Sequence, residues 1–344
     1  MADQKKYMQR ALEIAYRGMG AVSPNPMVGC VLVHQSQIIG EGYHQAFGGH
    51  HAEVNAIRSV KNQDLLKHST LYVTLEPCSH FGKTPPCANL IVKKGIPKVV
   101  IATKDPNPMV AGKGIKILEE AGVEVELGLL QEASKFLNRR FLKGFSEKRP
   151  FIILKWAETA DGFIARNDFD SKWISNEFSR TLVHKWRAEE DAIMVGTNTV
   201  KYDNPTLNVR DWKGENPIRI IVDRNLRLPS DRLVFDNSIS TILYHYKDAP
   251  QELPHQKKLG EALGKEDFLD ALFKDLYKKG IGSILVEGGS TLLSALLHVG
   301  LWDEARVFKS KKTFKEGIKA PSIHSKLNSA KVLGSDLLMI YTKA

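Results

Sequence analysis

The chain of 344 residues contains only three cysteines, Cys30, Cys78 and Cys87. Three thiols cannot all pair with one another and are too few to staple a chain this long, so a reducing compartment and a metal site explain them better than disulfides do. Long apolar runs are also missing. No segment approaches the roughly 18 uninterrupted apolar residues of a membrane span, and the start, MADQKKYMQRALEIAYRGMG, lacks the stretch of about 7 to 15 apolar residues that a secretion signal needs. Neither membrane insertion nor secretion is expected, and the expected location is cytoplasmic. The 26 glycines and 15 prolines are scattered, with no repeat or low-complexity tract, which excludes collagen-like and disordered chains.

What remains is a globular composition, 42% hydrophobic and 26% charged, with a net charge of +10. That balance attracts polyanions or phosphorylated small molecules. Lys and Arg are dispersed rather than gathered in a run interleaved with aromatics, so no nucleic-acid partner is expected. At about 150 residues per domain the length suggests two domains. The stretch Gln131 to Phe145 reads as one helix with apolar Ala133, Phe136, Leu137, Phe141 and Leu142. Polar residues 146–150 follow, and then a new apolar strand from Phe151. The seam is placed there, giving domains 1–147 and 148–344. Short apolar strands alternate with helices on both sides of it, which predicts an α/β fold with a mostly parallel sheet in each half.

The first half carries a constellation with metal-ligand chemistry. His51 and Glu53 sit two residues apart at the expected start of a helix; Cys78 follows the strand-like LYVTLEP, and eight residues separate it from Cys87. One imidazole and two thiolates are three ligands for a tetrahedral Zn2+ whose fourth position is left to water, as in a catalytic site. Zinc brings the pKa of that water to about 7. A deaminase must also move a proton from water to the ring nitrogen and on to the leaving amine, a task for the Glu53 carboxylate, which is not itself a ligand. Cys30, inside VGCVLV, reads as a core residue.

In the second half, Val286-Glu287-Gly288-Gly289-Ser290 reads as a strand running through glycines into a helix, and Gly196-Thr197-Asn198-Thr199 supplies another such corner. Backbone N–H groups at such corners can hold phosphate, and two of them favour a dinucleotide. Arg187 and Arg210 suit phosphate because guanidinium groups offer planar, paired donors.

The long spacer SHFGKTPP, with PNPMVG (24–29) and GEGYHQAFGGHHAE (40–53), resembles the N-terminal half of the bifunctional deaminase/reductase family of riboflavin biosynthesis. The order of FIILKWAETADGFIA, HKWRAEEDAIMVGTNTVKYDNPTLNVR and ILVEGGSTLLSALL resembles its C-terminal half. The resemblance implies a cytidine-deaminase-like three-layer domain followed by a dihydrofolate-reductase-like α/β domain that uses NADPH. It implies substrate contacts at Asn25, His44 and Lys83 in the first domain, and at Lys155, Ser171, Arg187, Leu207, Arg210 and Glu287 in the second. On the cofactor side it implies Ala157, Trp173, Thr199, Asp203, Gly289, Ser290, Thr291, Leu292 and Leu293.

The implied reactions are hydrolytic deamination of 2,5-diamino-6-(5-phosphoribosylamino)pyrimidin-4-one, a phosphorylated pyrimidine, and then reduction of its ribosyl side chain. The family also implies a homo-oligomer. The chain departs from it at Thr159-Ala160, where Ser-Leu is common, and at Glu158, an unusual charge beside the expected nicotinamide pocket. The alternatives are a nucleic-acid base deaminase, an active deaminase joined to a lapsed reductase domain, and a zinc-stapled binding module.

Overall fold

The computed structural model describes residues 2–79, 86–107, 111–171, 174–249 and 260–343, and the chain folds as two compact units, Met1–Glu147 and Lys148–Ala344. In the first, five strands lie in the order β2-β1-β3-β4-β5: β1 Gly29–His34, β2 Gln37–Tyr43, β3 Thr70–Val73, β4 Lys98–Ile101 and β5 Glu124–Leu127. The period-2 alternation of β1 sends Cys30 and Leu32 into a core with Ala52, Ala56, Ile91 and Leu118, and Val31 and Val33 into a core with Tyr7, Met8 and Ile14 on the other face. Both faces are therefore covered by helices, the three-layer arrangement expected. Helix α1 (Ala2–Ala15) lies on one side, and α2 (Ala52–Ser59), α3 (Cys87–Lys93) and α4 (Lys113–Glu120) lie on the other.

This sheet is mixed rather than mostly parallel. β1 pairs antiparallel with β2 and β3, while β3, β4 and β5 run parallel. The cause is local: only Gln35 and Ser36 join β1 to β2, both with positive φ (46° and 63°), the geometry of a two-residue hairpin. The long helix expected from Gln131 to Phe145 is broken into Gln131–Leu137 and Arg139–Glu147. Asn138 between them turns its amide onto the backbone of Met27, accepting from its N–H at 2.8 Å and donating to its carbonyl at 2.9 Å.

In the second unit, β6 Phe151–Glu158, β8 Ala192–Gly196, β9 Ile218–Val222, β10 Thr241–Tyr246, β11 Gly260–Leu263, β12 Ser283–Val286 and β13 Glu304–Lys309 run parallel in the order β11-β10-β9-β8-β12-β6-β13. Two antiparallel strands, β16 Asp336–Thr342 and β15 Lys326–Leu333, complete one edge of the nine-stranded sheet, and β7 Phe163–Ala165 pairs antiparallel with β14 Ile318–Lys319 in a separate two-stranded sheet. Alternation again fills two cores. Ile152, Leu154 and Trp156 of β6 pack with Leu272 and Leu293 on one face, while Phe151 and Ile153 pack with Trp186 and Phe308 on the other. Strand β15 carries almost no buried residue and is held by its backbone pairing with β16, so its sequence shows no strand pattern.

Candidate functional sites

The ends of short elements gather the first unit's chemistry. His51 is the extended residue that precedes α2, Cys87 opens α3, and Cys78 lies in the segment after β3. The His51 Nδ1 stands 3.5 Å from Cys78 Sγ and 3.4 Å from Cys87 Sγ, and the three ligand atoms lie within 4.8 Å of one another. A tetrahedral zinc about 2.3 Å from sulfur and about 2.0 Å from nitrogen would set those atoms roughly 3.5 Å apart, so the trio fits the ion it is expected to hold.

The three groups shift one another's protonation. Hydrogen bonds from Cys87 and His51 bring the Cys78 thiol down to about 4, with the Cys87 N–H at the start of α3 donating to its sulfur at 3.2 Å. The contact with Cys78 pushes the Cys87 thiol up, as does burial. The His51 imidazole is raised to about 9, chiefly by its hydrogen bond to Cys78. Glu53, in the first turn of α2, is 3% exposed; burial pushes its carboxyl up to about 7, aided by the Cys78 charge.

Beside the trio, the His44 ring meets the His51 ring edge-on at 5.7 Å. Its Nδ1 lies 3.0 Å from the His50 carbonyl, which can only accept, so Nδ1 carries the proton in the neutral ring. The Nε2 is then an acceptor for the Asn25 amide at 3.1 Å. Burial lowers the His44 pKa, keeping the ring neutral. Lys83 lies outside the described residues, and Cys30 is fully buried in the sheet's core.

Sequence reasoning passed over Glu76. Its carboxylate is 4% exposed and accepts from the N–H groups of Gly112 and Gly114 at 3.0 Å and of Asp105 and Ile115 at 3.3 Å. It thereby fastens the Pro77–Cys78 segment to the start of α4. A Cβ at Gly114 would collide with the Pro77 carbonyl, so the glycine permits this approach. The only signal in the sequence is an acid directly before Pro-Cys.

In the second unit the site is a cavity of about 690 Å³. Lys155, Ala157, Ser171, Arg187, Leu207, Arg210 and Glu287 line it, as do Thr199, Asp203 and the run from Gly289 to Leu293, while Trp173 lies outside the described residues. In its wall Glu287 binds the Arg187 Nε and Nη2 at 2.6 and 2.9 Å and the Lys155 Nζ at 3.4 Å, and Arg187 also donates to the Asn208 carbonyl at 3.0 Å. Burial alone would raise the Glu287 carboxyl, but Arg187 and Lys155 outweigh it and bring it to about 2. The next residue, Gly288, has φ +151°, and a Cβ there would sit 3.2 Å from Thr199 Oγ1. The side-chain-free backbone facing Thr199 is a cradle of the kind a phosphate occupies, which fits a dinucleotide.

Glu158 is not among the described residues that line the cavity. It accepts from Trp156 Nε1 at 2.9 Å and pairs with Lys309 at 3.9 Å, while the Thr159 hydroxyl is used inward by the Phe163 N–H at 2.9 Å. Both departures from the family pattern are engaged in local hydrogen bonds.

Comparison with known proteins finds relatives of both units. Residues 150–327 match the family described as RibD C-terminal domain, and residues 1–103 match the cytidine and deoxycytidylate deaminase zinc-binding region. The chain is 40% identical to the riboflavin biosynthesis protein RibD of Actinobacillus pleuropneumoniae, covering 97% of this chain and 94% of that one. It is 39% identical to its counterpart in Aquifex aeolicus, covering 98% of each. A solved deaminase/reductase from Thermotoga maritima superposes with a TM-score of 0.91 at 38% identity, covering 100% of this chain and 99% of that one. Acinetobacter baumannii RibD does so with 0.91 at 36% and the same coverage.

Proposed function

The chain belongs to the bifunctional deaminase/reductase family of riboflavin biosynthesis, and from that membership we propose that residues 1–147 deaminate 2,5-diamino-6-(5-phosphoribosylamino)pyrimidin-4-one and that residues 148–344 reduce the product's ribosyl chain to ribityl with NADPH. The observation that carries the reading is the His51, Cys78 and Cys87 trio at zinc spacing beside a buried Glu53. Zinc held there supplies a water acidic enough to act as a nucleophile at neutral pH. Glu53, buried beside the trio, would carry two protons in turn, the first from the attacking water to the ring nitrogen and the second from the new hydroxyl on the ring carbon to the departing amine. Overall, water replaces the amino group and ammonia leaves.

His44 and Asn25 orient the pyrimidine. With His44 Nδ1 committed to the His50 carbonyl and Nε2 to the Asn25 amide, the Asn25 oxygen is left to face a donor on the ring edge. Lys83 joins them as a substrate contact.

NADPH bound in the second unit would supply a hydride for the ribose C1', and a proton from water would complete the gain of two hydrogens. Glu287 holds Arg187 and Lys155 in place at the substrate end, where Ser171, Leu207 and Arg210 complete the contacts. Ala157, Trp173, Thr199, Asp203 and the loop Gly289 to Leu293 face the cofactor. The inward bonding of Glu158 and Thr159 supports a working reductase over a lapsed one. The dispersed charge favours a small phosphorylated substrate over nucleic acid, and a cytoplasmic homo-oligomer completes the reading. Among the described residues no helix is long and apolar enough to cross a membrane.

Product masses after incubation with zinc, substrate and NADPH test the proposal. Exchange of NH for O followed by gain of two hydrogens is expected; an unchanged mass would overturn it, and exchange without hydrogen gain would leave only the deaminase.

A further inference from the structure

Residues 204–217 join the helix Thr197–Asp203 to β9 with neither strand nor helix between, and they carry two of the second unit's expected substrate contacts, Leu207 and Arg210. Backbone without a ladder of its own is placed by the groups that grip it. Leu207 is sunk in the core with Val195, Val200 and Ile221. Beyond it, the helix Glu177–Glu189 reaches the stretch with three side chains. Arg187 Nη1 donates to the Asn208 carbonyl at 3.0 Å, the Lys185 ammonium lies 5.6 Å from the centroid of the Trp212 ring, and His184 meets both Arg210 and Asp211.

His184 is buried, lines the cavity and is not among the expected substrate contacts. Its Nδ1 lies 3.4 Å from the Arg210 backbone nitrogen, and its Nε2 lies 3.2 Å from Asp211 Oδ2. A backbone N–H can only donate, so Nδ1 is the bare acceptor and the ring proton sits on Nε2, which donates it to the carboxylate. Burial lowers the His184 pKa, as do the Arg187 and Arg210 charges, against the pull of Asp211 and Glu287, so the ring is neutral at neutral pH. Both ring nitrogens are thus committed to the loop. No polar atom of the imidazole is left over for a ligand.

We infer that His184 is a positioning residue for the reductase reaction, fastening the Arg210–Asp211 backbone to the helix Glu177–Glu189 so that Arg210 stands with Arg187 against the bound substrate. The inference rests on the reading of Arg210 as a substrate contact. Residues three apart on a helix share a face, so His184 and Arg187 grip the stretch from one side. Arg187 needs no further support, because Glu287 holds its guanidinium through two nitrogens at 2.6 and 2.9 Å. The Arg210 side chain is half-exposed and its Nε lies 3.6 Å from the neighbouring Asp211, so its direction follows from where its own backbone is held. A histidine that merely filled space could be replaced by any ring of its size, whereas here one acceptor and one donor are matched to a backbone N–H and a carboxylate.

The test follows reduction alone, in the full chain given already deaminated substrate and NADPH, with melting temperature as the control for folding. His184→Phe keeps the bulk of the ring and loses both nitrogens; KM for the phosphorylated substrate should rise roughly 10-fold while kcat and KM for NADPH hold. His184→Asn keeps an oxygen that can accept where Nδ1 does and should recover most of that loss. Asp211→Ala removes one of the two contacts from the exposed side and should raise the same KM by about two- to fivefold, a result that stands even where His184→Phe does not fold. Because His184 acts through Arg210, His184→Phe should add little once Arg210→Gln is present. An unchanged KM in His184→Phe or in Asp211→Ala, an equal rise in KM for NADPH, no recovery in His184→Asn, or full additivity with Arg210→Gln would overturn the inference while Arg210 remained a substrate contact. An Arg210→Gln enzyme with unaltered KM would overturn that reading and the inference together.

Discussion

The two sites are built on opposite plans. The first unit concentrates its chemistry in a few side chains at the beginnings of helices, where one imidazole and two thiols converge within 4.8 Å and a buried carboxylate, Glu76, pins the segment that carries one of them. The second unit spreads its site along the C-terminal edge of a parallel sheet as a cavity of about 690 Å³, shaped as much by bare backbone at Gly288 and Gly289 as by side chains. A reaction run by one activated water needs a tight, preorganised cluster. Bringing a dinucleotide and a second substrate together needs length.

Substitutions at the two sites should have separable effects. The largest effect is expected from Cys87→Ala, which should abolish both zinc content and ammonia release while NADPH oxidation with already deaminated substrate continues. Loss of both activities would show that the two plans are not separable. Next, Glu53→Gln should retain zinc by metal analysis yet slow ammonia release by about 10³-fold, the scale of a positioned acid–base group. Unchanged release would deny Glu53 its proton transfers.

In the second unit, Glu287→Gln should loosen both cations it holds and raise KM for the phosphorylated substrate by roughly 10- to 100-fold, since each charged hydrogen bond contributes about 1.5–3 kcal/mol. A smaller effect belongs to Glu76→Gln. Weakening four N–H contacts, two of them buried, should destabilise the first unit by about 1–3 kcal/mol in denaturant melts, with faster zinc loss to a chelator. Smaller again is a pH effect. Because the folded Glu287 carboxyl is held at about 2, below its ordinary 4.5, its contribution to stability is complete above 4.5 and is lost as pH falls towards 2. Acid titration of the second unit's unfolding should show that loss, and Glu287→Gln should remove it.

The same contrast governs what the sequence reveals. Zinc ligands must be His and Cys and must bracket a few local elements, so His51, Cys78 and Cys87 stand out as motifs, and the α/β class follows from alternating strands and helices in both halves. Less is visible where tertiary contacts decide. The helix break at Asn138 depends on Met27, far away in the chain, and the antiparallel β1–β2 pair depends on Gln35 and Ser36 adopting positive φ without a glycine between them. Glu76 looks like an ordinary acid until the start of α4 is brought to it.

The most direct test of two plans serving one pathway step after another is a single reaction mixture of zinc-loaded protein, diaminopyrimidinone phosphate and NADPH, with ammonia and NADPH absorbance followed together. Ammonia should appear first, with one NADPH consumed for each ammonia released. Consumption of NADPH before ammonia, or ammonia with no NADPH consumed, would contradict this expectation.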